Sequence, residues 1–438
     1  MTAATESCPA EQQGTPPPMP FIPVRKSELV SALAKDGLSP GQSHDFNTLC
    51  TFIGAYFHHD FYDELTELKE AYALFASSEP QTLSREIFDR TEVYLTLSAT
   101  FEGVLKRANF IELTASQVEH LGGEHPLLDV KTRTPLDIYE TVRIFYRGLK
   151  TELVTQPSRL AKKKQVLQDV FDDVVVFVRF KSGELNPGKS RQSRKLPGGT
   201  SAGSILIKSF RNIARSELPM LLPEVQVVMS RKDALFLGGP ALIGGIPVAL
   251  NIIPALSMVL VVIGAYLGFS GEVSQDKLMK AVGALSALVG AGAFMFRQYS
   301  NYSFRKLKYQ KRLADNIYFK NVNNNSGVFE TLIGAAEEQE VKEVILAYHA
   351  LLTAGPAANA GELDRRIESW FKEKFGGEID FEVSDALHKL EGLGFLTQID
   401  TKIAVCPLDG ALSRLDMLWD RLYDFSTGDA AKQTAIRA

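Results

Sequence analysis

The chain has 438 residues, enough for two or three domains of ordinary size. Hydrophobic residues make up 45% and charged residues 23%, so the composition excludes a wholly disordered chain, a collagen-like repeat and a coiled-coil rod. The formal net charge of −4 excludes nucleic-acid binding driven by overall charge. The cysteines Cys8, Cys50 and Cys406 are far apart and fit neither a zinc site nor a disulfide framework, which favours a reducing compartment.

The N-terminal half is predicted to be a tail followed by a mixed domain. Residues 1–20 contain no basic residue and are rich in Pro, Gln and Ser, which predicts a disordered tail without a targeting signal. Residues 21–233 are predicted to form a cytoplasmic α+β domain, a mixed helical/sheet fold. Apolar residues at helical spacing predict helices over Leu29–Ala34, Phe46–Phe75 and Leu83–Phe101, and Thr114 is a predicted N-cap.

Further along the domain, the residue pattern changes from helical spacing to one typical of β-strands. β-Branched and aromatic residues predict strands over Glu140–Gly148, Asp172–Lys181, Ser204–Phe210 and Val225–Met229. Ten basic residues lie in loops and strands from Arg159 to Lys195. They indicate contact with anionic lipid, while nucleic acid is a weaker interpretation and solvated loops are the interpretation without a ligand.

Residues 234–296 are predicted to form a two-helix transmembrane hairpin. No charge occurs in the 38 residues from Ala234 to Gly271 or in the 16 residues from Ala281 to Phe296. A bilayer core is crossed by about 20 apolar residues. Gly and Ala recur at four-residue spacing in the second run, which lets helices approach closely and predicts a homo-oligomer through the hairpin. The alternatives are a buried helix pair in a soluble core, or three spans if the first run is two.

Charge at the two flanks predicts the orientation of this hairpin. The 20 residues after the second run contain six basic residues, and the connecting loop contains two. This excess predicts that both soluble parts lie on the cytoplasmic side, with both termini in the cytoplasm. Residues 297–326 are then a basic connector, in which a helix continues to Tyr318 and the Asn-rich segment after it ends the helix.

Residues 327–425 are predicted to form a winged-helix-like domain, followed by a tail over 426–438. The predicted elements are a helix from Ser326 to about Thr353, a helix over Gly361–Phe375, a short strand over Glu378–Phe381, a helix over Val383–Leu393, two strands around a tight turn, and a helix over Gly410–Phe425. In DNA-binding members of this class the third helix enters the major groove.

The charges of that third helix argue against nucleic acid. It carries Glu382, Asp385 and Glu391 against Lys389 and His388, so its face is net acidic and would repel phosphate. We therefore predict that the module binds a protein partner or serves for packing. A DNA-binding regulator remains the alternative.

Two short motifs together match a lipase pattern. Gly199–Gly203 fits the G-x-S-x-G nucleophile elbow with Ser201, and Asp409 begins an Asp-Gly-Ala motif, as in patatin-like lipases with a Ser–Asp dyad. The residues before Ser201 are basic and strand-breaking, and no glycine-rich oxyanion loop precedes them. A membrane-associated serine lipid hydrolase is therefore only the alternative, and no catalytic residue is predicted.

The histidines do not build a metal site. His58, His59, Asp60 and Asp63 cluster on the long helix, but only His59 and Asp63 share a face. One pair supplies two ligands, short of the three or four that zinc needs. With no phosphate-binding loop in the sequence, no metal and no cofactor is predicted.

Four segments are similar to one known family: Phe21–Leu33, His58–Phe75, Ala214–Met229 and Asn324–Leu352. Through them the chain resembles the transmembrane protein 143 family, whose members share a domain of unknown function and occur in bacteria, plants and mitochondria. The resemblance implies a membrane protein without an established activity and carries over no catalytic residue. With no transit peptide, we expect a bacterial member, placed as a multi-pass protein in the inner membrane.

These observations together predict an integral membrane protein that is not an enzyme. Its expected role is that of a scaffold or regulator, with a protein partner at the C-terminal module. The rival interpretations are the lipid hydrolase of Ser201 and Asp409 and a membrane-tethered winged-helix regulator of transcription. A small channel of oligomerised hairpins is a weaker one, because Asn251 and a few serines are the only polar residues that could line it.

Overall fold

The fold is described from a computed structural model, which covers the chain except for a number of short and long gaps. The described residues are 18–76, 89–121, 123–127, 130–156, 164–181, 203–223, 226–228, 257, 259–264, 267–268, 274–399 and 402–422. Most of the first apolar run and most of the predicted basic loops, including Arg159 and Lys195, lie outside these ranges.

Helices account for most of the described chain. Those with both ends in the described ranges are α1 (Lys26–Ala34), α2 (Pro40–Ala73), α3 (Arg90–Arg107), α4 (Ala115–Glu119), α5 (Leu218–Leu221), α6 (Gln275–Tyr318), α7 (Ser326–Thr353), α8 (Ala360–Phe375), α9 (Val383–Gly392) and α10 (Leu408–Arg421). The N-cap predicted at Thr114 is confirmed, because its hydroxyl accepts a hydrogen bond from the Gln117 backbone N–H, and the Gln117 side-chain oxygen accepts one from the Thr114 backbone N–H. Helix α7 begins at Ser326, as predicted, and Asn325 holds the cap position.

The strands form three antiparallel sheets. They are β1 (Ile111–Glu112), β2 (Gly123–Leu127), β3 (Val130–Thr134), β4 (Tyr139–Gln156), β5 (Lys164–Phe180), β6 (Ile205–Ala214), β7 (Gln226–Val228), β8 (Asn321–Asn324), β9 (Leu396–Ile399) and β10 (Lys402–Val405). The main sheet has the order β1-β4-β5-β6-β8, beside a β2-β3-β7 sheet and a β9-β10 hairpin. The four predicted strands are confirmed, because they overlap β4, β5, β6 and β7 and agree within one residue for at least one end of each. However, β4 continues to Gln156, and β5 and β6 are longer than predicted.

Both faces of the inner part of the main sheet are buried in the described fold. On one face Val175 and Phe177 of β5 pack with Phe101 of α3 and Phe329 of α7. On the other face the alternate residues of β5, such as Val176, pack toward α4 and α5. Strands buried on both sides become apolar at consecutive positions, which explains the run Val174–Val178.

A third core joins the two ends of the chain. It contains Leu29 of α1 and Phe46 of α2, together with residues of α7, α8, α9 and α10. The long helices α2 and α7 each contribute to this core with one half and to the sheet-facing core with the other. The C-terminal module is therefore packed on the N-terminal helices.

The C-terminal elements follow the order expected of a winged-helix-like module. Three helices, α7, α8 and α9, precede the β9-β10 hairpin, and α10 closes the chain. Ala357, between α7 and α8, makes an isolated bridge with Ile403 of β10, beside the two-stranded hairpin. The strand predicted over Glu378–Phe381 is wrong, because Ile379 makes an isolated bridge with Met19 instead.

The predicted transmembrane hairpin over 234–296 is wrong. Within the described residues, no helix combines the length and the apolar character needed to cross a membrane. The second uncharged run, Ala281–Phe296, is the middle part of α6, a single helix of 44 residues that continues through a basic segment. Its 16 uncharged residues fall short of a span, for which about 20 apolar residues are needed.

The same finding overturns the predictions that depended on the hairpin. These are the membrane-protein class, the multi-pass placement and the bacterial inner-membrane location. The physical reason is that the absence of charge alone does not make a segment cross a membrane. A run without charges favours lipid only where it is long enough and apolar enough throughout, and the Gly-rich and Ala-rich second run is neither.

Candidate functional site

A cleft of about 500 Å³ opens between the main sheet, α7 and the N-terminal segment 21–25. Strands β4, β5, β6 and β8 form one wall and the first half of α7 forms the other. The N-terminal segment is held in place by α7, because the Gln339 side-chain oxygen accepts a hydrogen bond from the Ile22 backbone N–H at 3.3 Å. The position of the cleft thus depends on elements from three distant parts of the sequence.

Two arginines in this cleft share one carboxylate. Arg147 Nη2 lies 2.7 Å from Asp173 Oδ2, and Arg211 Nε lies 3.2 Å from Asp173 Oδ1. Arg147 also donates to the Ala108 carbonyl at 3.2 Å, and its guanidinium lies over the Phe110 ring at 5.0 Å from the centroid. Arg147 is therefore fixed on several sides, whereas the side chain of Arg211 is 62% exposed.

On the opposite wall, Lys342 is almost completely buried. Its ammonium donates to the Ile22 carbonyl at 3.2 Å and lies 3.0 Å from Glu338 Oε1. Burial is the main cause that lowers the pKa of Lys342, and Glu338 opposes it. Burial alone would raise the pKa of Glu338, but the hydrogen bond and charge of Lys342 lower it.

Behind this wall, α7 and α9 enclose a charge cluster, defined here as Glu340, Glu343, Asp385 and Lys389. The Lys389 ammonium lies 2.6 Å from Glu340 Oε2, 2.6 Å from Glu343 Oε2 and 2.5 Å from Asp385 Oδ2. Gln339 donates to Glu343 Oε1 at 3.0 Å. The side chains of Glu340, Glu343 and Lys389 are at most 10% exposed.

Burial and charge set the protonation of the cluster. Burial raises the pKa of Glu340 to about 7, although Lys389 opposes the shift. The pKa of Glu343 is also raised, chiefly by burial. For Lys389 burial acts to lower the pKa, but the three carboxylates more than compensate, so the pKa is raised and the ammonium stays charged at neutral pH.

The cluster contains the carboxylate ligands of a metal site, but the position between them is already occupied by a cation. Carboxylate oxygens of Glu340, Glu343 and Asp385 lie within 4.8 Å of one another, close enough to share an ion. The cation that they share is the Lys389 ammonium, which takes the place of a metal between them. We interpret the arrangement as an ion pair that attaches α9 to α7. One oxygen, Glu340 Oε1, makes no hydrogen bond to the described residues.

The residues weighed from sequence lie elsewhere. His58 pairs with Glu337 at 2.9 Å on the surface, and His59 and Asp63 do not belong to any group of three potential ligands among the described residues. Asp409 is exposed in the first turn of α10, and Ser201 lies outside the described residues. The prediction that the chain has no catalytic residue and no metal ligand stays a prediction.

The sequence alone indicates neither the cleft nor the buried cluster. The segment from Glu337 to Glu343 reads as a solvated face because five of its seven residues are charged. In the fold, Gln339, Glu340, Lys342 and Glu343 are all buried. A usable signal was the apolar density of the same helix from Val344 to Leu352, which shows that α7 is buried on most sides.

One part of the chain is similar to a described protein family. Residues 171–327 match the family described as "Protein of unknown function (DUF3754)". The matched segment includes Asp173 and Arg211 of the cleft but ends before the charge cluster. No solved structure matches the chain. The resemblance to the transmembrane protein 143 family stays a prediction.

Proposed function

We propose that the chain is a non-enzymatic scaffold that assembles with copies of itself through α6. The observation that carries this proposal is a seam of exposed apolar residues on that helix. The seam consists of Leu278, Val282, Leu285, Val289, Gly292, Phe296 and Tyr299. Its members other than Gly292 are between 49% exposed, for Leu278, and 72% exposed, for Phe296.

The spacing of the seam is that of helices that pair. Successive members are separated alternately by four and three residues, which is the a/d pattern of a heptad repeat, and the pattern extends over three heptads. Such a stripe keeps to one side of a helix and fits the same stripe on a second copy. Exposed apolar area of this extent favours association, at about 25 cal/mol per Å² removed from water.

The mass of the full chain in solution tests this proposal. Light scattering is measured over a concentration series for the wild type, for a variant with Leu285→Glu and Val289→Glu, and for Met279→Glu. Met279 is 73% exposed but lies off the seam, so it is a matched control for added charge. We expect wild type and control to self-associate and the seam variant to be monomeric. A wild type that is monomeric throughout, or equal masses for both variants, would contradict the proposal.

A second part of the proposal concerns the partner of the C-terminal module. The only lysine of α9, Lys389, is enclosed by three carboxylates, and the exposed residues of that helix include His388 and Glu391. A groove-binding helix needs cations or donors that can reach phosphate and bases. The charges of α9 thus favour a protein partner over nucleic acid.

Duplex DNA provides the test of this second part. Binding of a fluorescent random-sequence duplex to the full chain is followed by anisotropy at low and at physiological salt. We expect anisotropy to stay unchanged at both. Salt-dependent binding that is lost on substitution of Lys402, the exposed lysine at the start of β10, would replace the protein partner with DNA.

A further inference from the structure

We propose that the cleft between the main sheet and α7 binds a small organic anion, with a carboxylate or phosphate head and a short apolar body. This site is separate from the α6 seam and does not depend on self-association. Its volume of about 500 Å³ lies within the range of small-molecule sites, roughly 300 to 1,000 Å³.

The charges that line the cleft favour an anion. They comprise four cationic and two anionic side chains, namely Arg25, Arg147, Arg211, Lys342, Asp173 and Glu338. Both carboxylates are already engaged. Asp173 accepts from two arginines, and Glu338 accepts from Lys342 and from the Lys26 backbone N–H at 3.0 Å. The excess positive charge is therefore available to a ligand.

Arg211 is the group best placed to hold the anionic head. Only its Nε is used by Asp173, and neither of its Nη atoms donates to a side chain or carbonyl among the described residues. Because the guanidinium is planar, those free N–H groups can form two parallel bonds to a carboxylate or a phosphate. Asp173, bound at the same time by Arg147, fixes the orientation of this fork.

The walls provide a surface for an apolar body. Phe21 and Phe110 line the same cleft and are partly exposed, whereas Val174, Phe210 and Leu332 behind them are buried. Two of these rings, Phe21 and Phe110, flank the Arg147 guanidinium at 5.3 and 5.0 Å from their centroids. An alkyl or aromatic body can pack on these side chains while its charged end meets Arg211, which combines apolar contact with one oriented polar group.

Calorimetric titration of the full chain tests the proposal, with hexyl phosphate and hexanoate as probes. Neutral 1-hexanol and inorganic phosphate separate the contributions of the body and the head. The variants are Arg211→Gln and, as a matched control, Arg215→Gln. Arg215 is 56% exposed and pairs with Asp169 at 3.2 Å, much as Arg211 pairs with Asp173, but it does not line the cleft.

We expect at least one charged probe to bind, and the Kd to rise roughly tenfold in Arg211→Gln, the loss expected for a charge-assisted hydrogen-bond pair. Arg215→Gln should bind as the wild type does, and the affinity should fall as salt is added. Four results would overturn the proposal. They are an absence of heat with both charged probes, equal losses in the two variants, hexanol binding as tightly as hexyl phosphate, and inorganic phosphate binding as tightly as hexyl phosphate.

Discussion

Replacement of Lys389 by methionine should strongly destabilise the C-terminal module. The substitution keeps the length and the apolar part of the side chain and removes only the ammonium. Three carboxylates then face one another without a cation, two of them, Glu340 and Glu343, almost fully buried. The packing of α9 on α7 would otherwise stay as it is, so the change isolates the charge.

The expected loss follows from the burial of the cluster. Removing one partner of a buried ion pair typically costs about 3 to 5 kcal/mol, because the remaining charges are left without compensation. Protonation can relieve part of this cost. Burial already raises the pKa of Glu340 to about 7, and loss of the ammonium raises it further, so the deficit should be largest above pH 7 and shrink as the pH falls.

The module contains its own spectroscopic probes. The two tryptophans of the chain, Trp370 and Trp419, lie in α8 and α10, so fluorescence during urea unfolding reports on this part of the fold. Lys372→Met is the control, because Lys372 lies on α8, is 63% exposed and pairs with Glu378 at 2.6 Å. An exposed pair of this kind contributes at most about 1 kcal/mol.

The urea midpoints of these two variants, compared over a range of pH, test whether Lys389 is a structural cation. Above pH 7 we expect the urea midpoint of Lys389→Met to lie well below that of Lys372→Met. The difference between the two midpoints should become smaller at acidic pH. If the two midpoints coincide at every pH, the cluster does not attach α9 to α7, and the interpretation of Lys389 as a structural cation is wrong.

Three further substitutions test other contacts. The pKa of Glu340 in the folded state, about 7, is above its ordinary value of 4.5. The stability that this group contributes is therefore present below about pH 4.5 and is lost by about pH 7. Glu340→Gln should flatten that decline in a pH series of urea midpoints. Tyr348→Phe should cost about 1 to 3 kcal/mol in the same assay, because it leaves the buried Cys406 carbonyl without the hydroxyl that donates to it at 2.9 Å. Gly148→Ala should destabilise the fold by about 1 to 2 kcal/mol or more and so lower the thermal midpoint, because Gly148 has φ +67° and an added Cβ would lie 2.8 Å from the Cβ of Asp172. An unchanged midpoint would show that the β4 backbone can relax there.

Elements with a strong local pattern were predictable from the sequence. The apolar spacing over Phe46–Phe75 predicts most of α2, and the run of valines in Asp172–Lys181 predicts the inner part of β5. The capping box at Thr114 is likewise a local signal, because its two residues, Thr114 and Gln117, are three positions apart. In each case neighbours in the sequence determine the structure.

Features that depend on distant residues were not predictable in this way. Asn321–Asn324 forms an edge strand although asparagine is uncommon in strands, because β6 offers a free edge at that point. The acidic stretch of α7 is buried because Lys389, more than forty residues away, compensates its charge. The cleft is assembled by three separate segments, so no single stretch of sequence indicates it.

The seam on α6 is tested most directly by site-specific crosslinking between copies. Val289 lies near the middle of the seam, so cysteines at this position meet whether two helices pair in parallel or in antiparallel orientation. In a background with Cys8, Cys50 and Cys406 replaced by serine or alanine, mild oxidation of Val289→Cys should give covalent dimers, and Met279→Cys should not. Equal yields from the two positions, or no dimer from Val289→Cys, would contradict assembly through this helix.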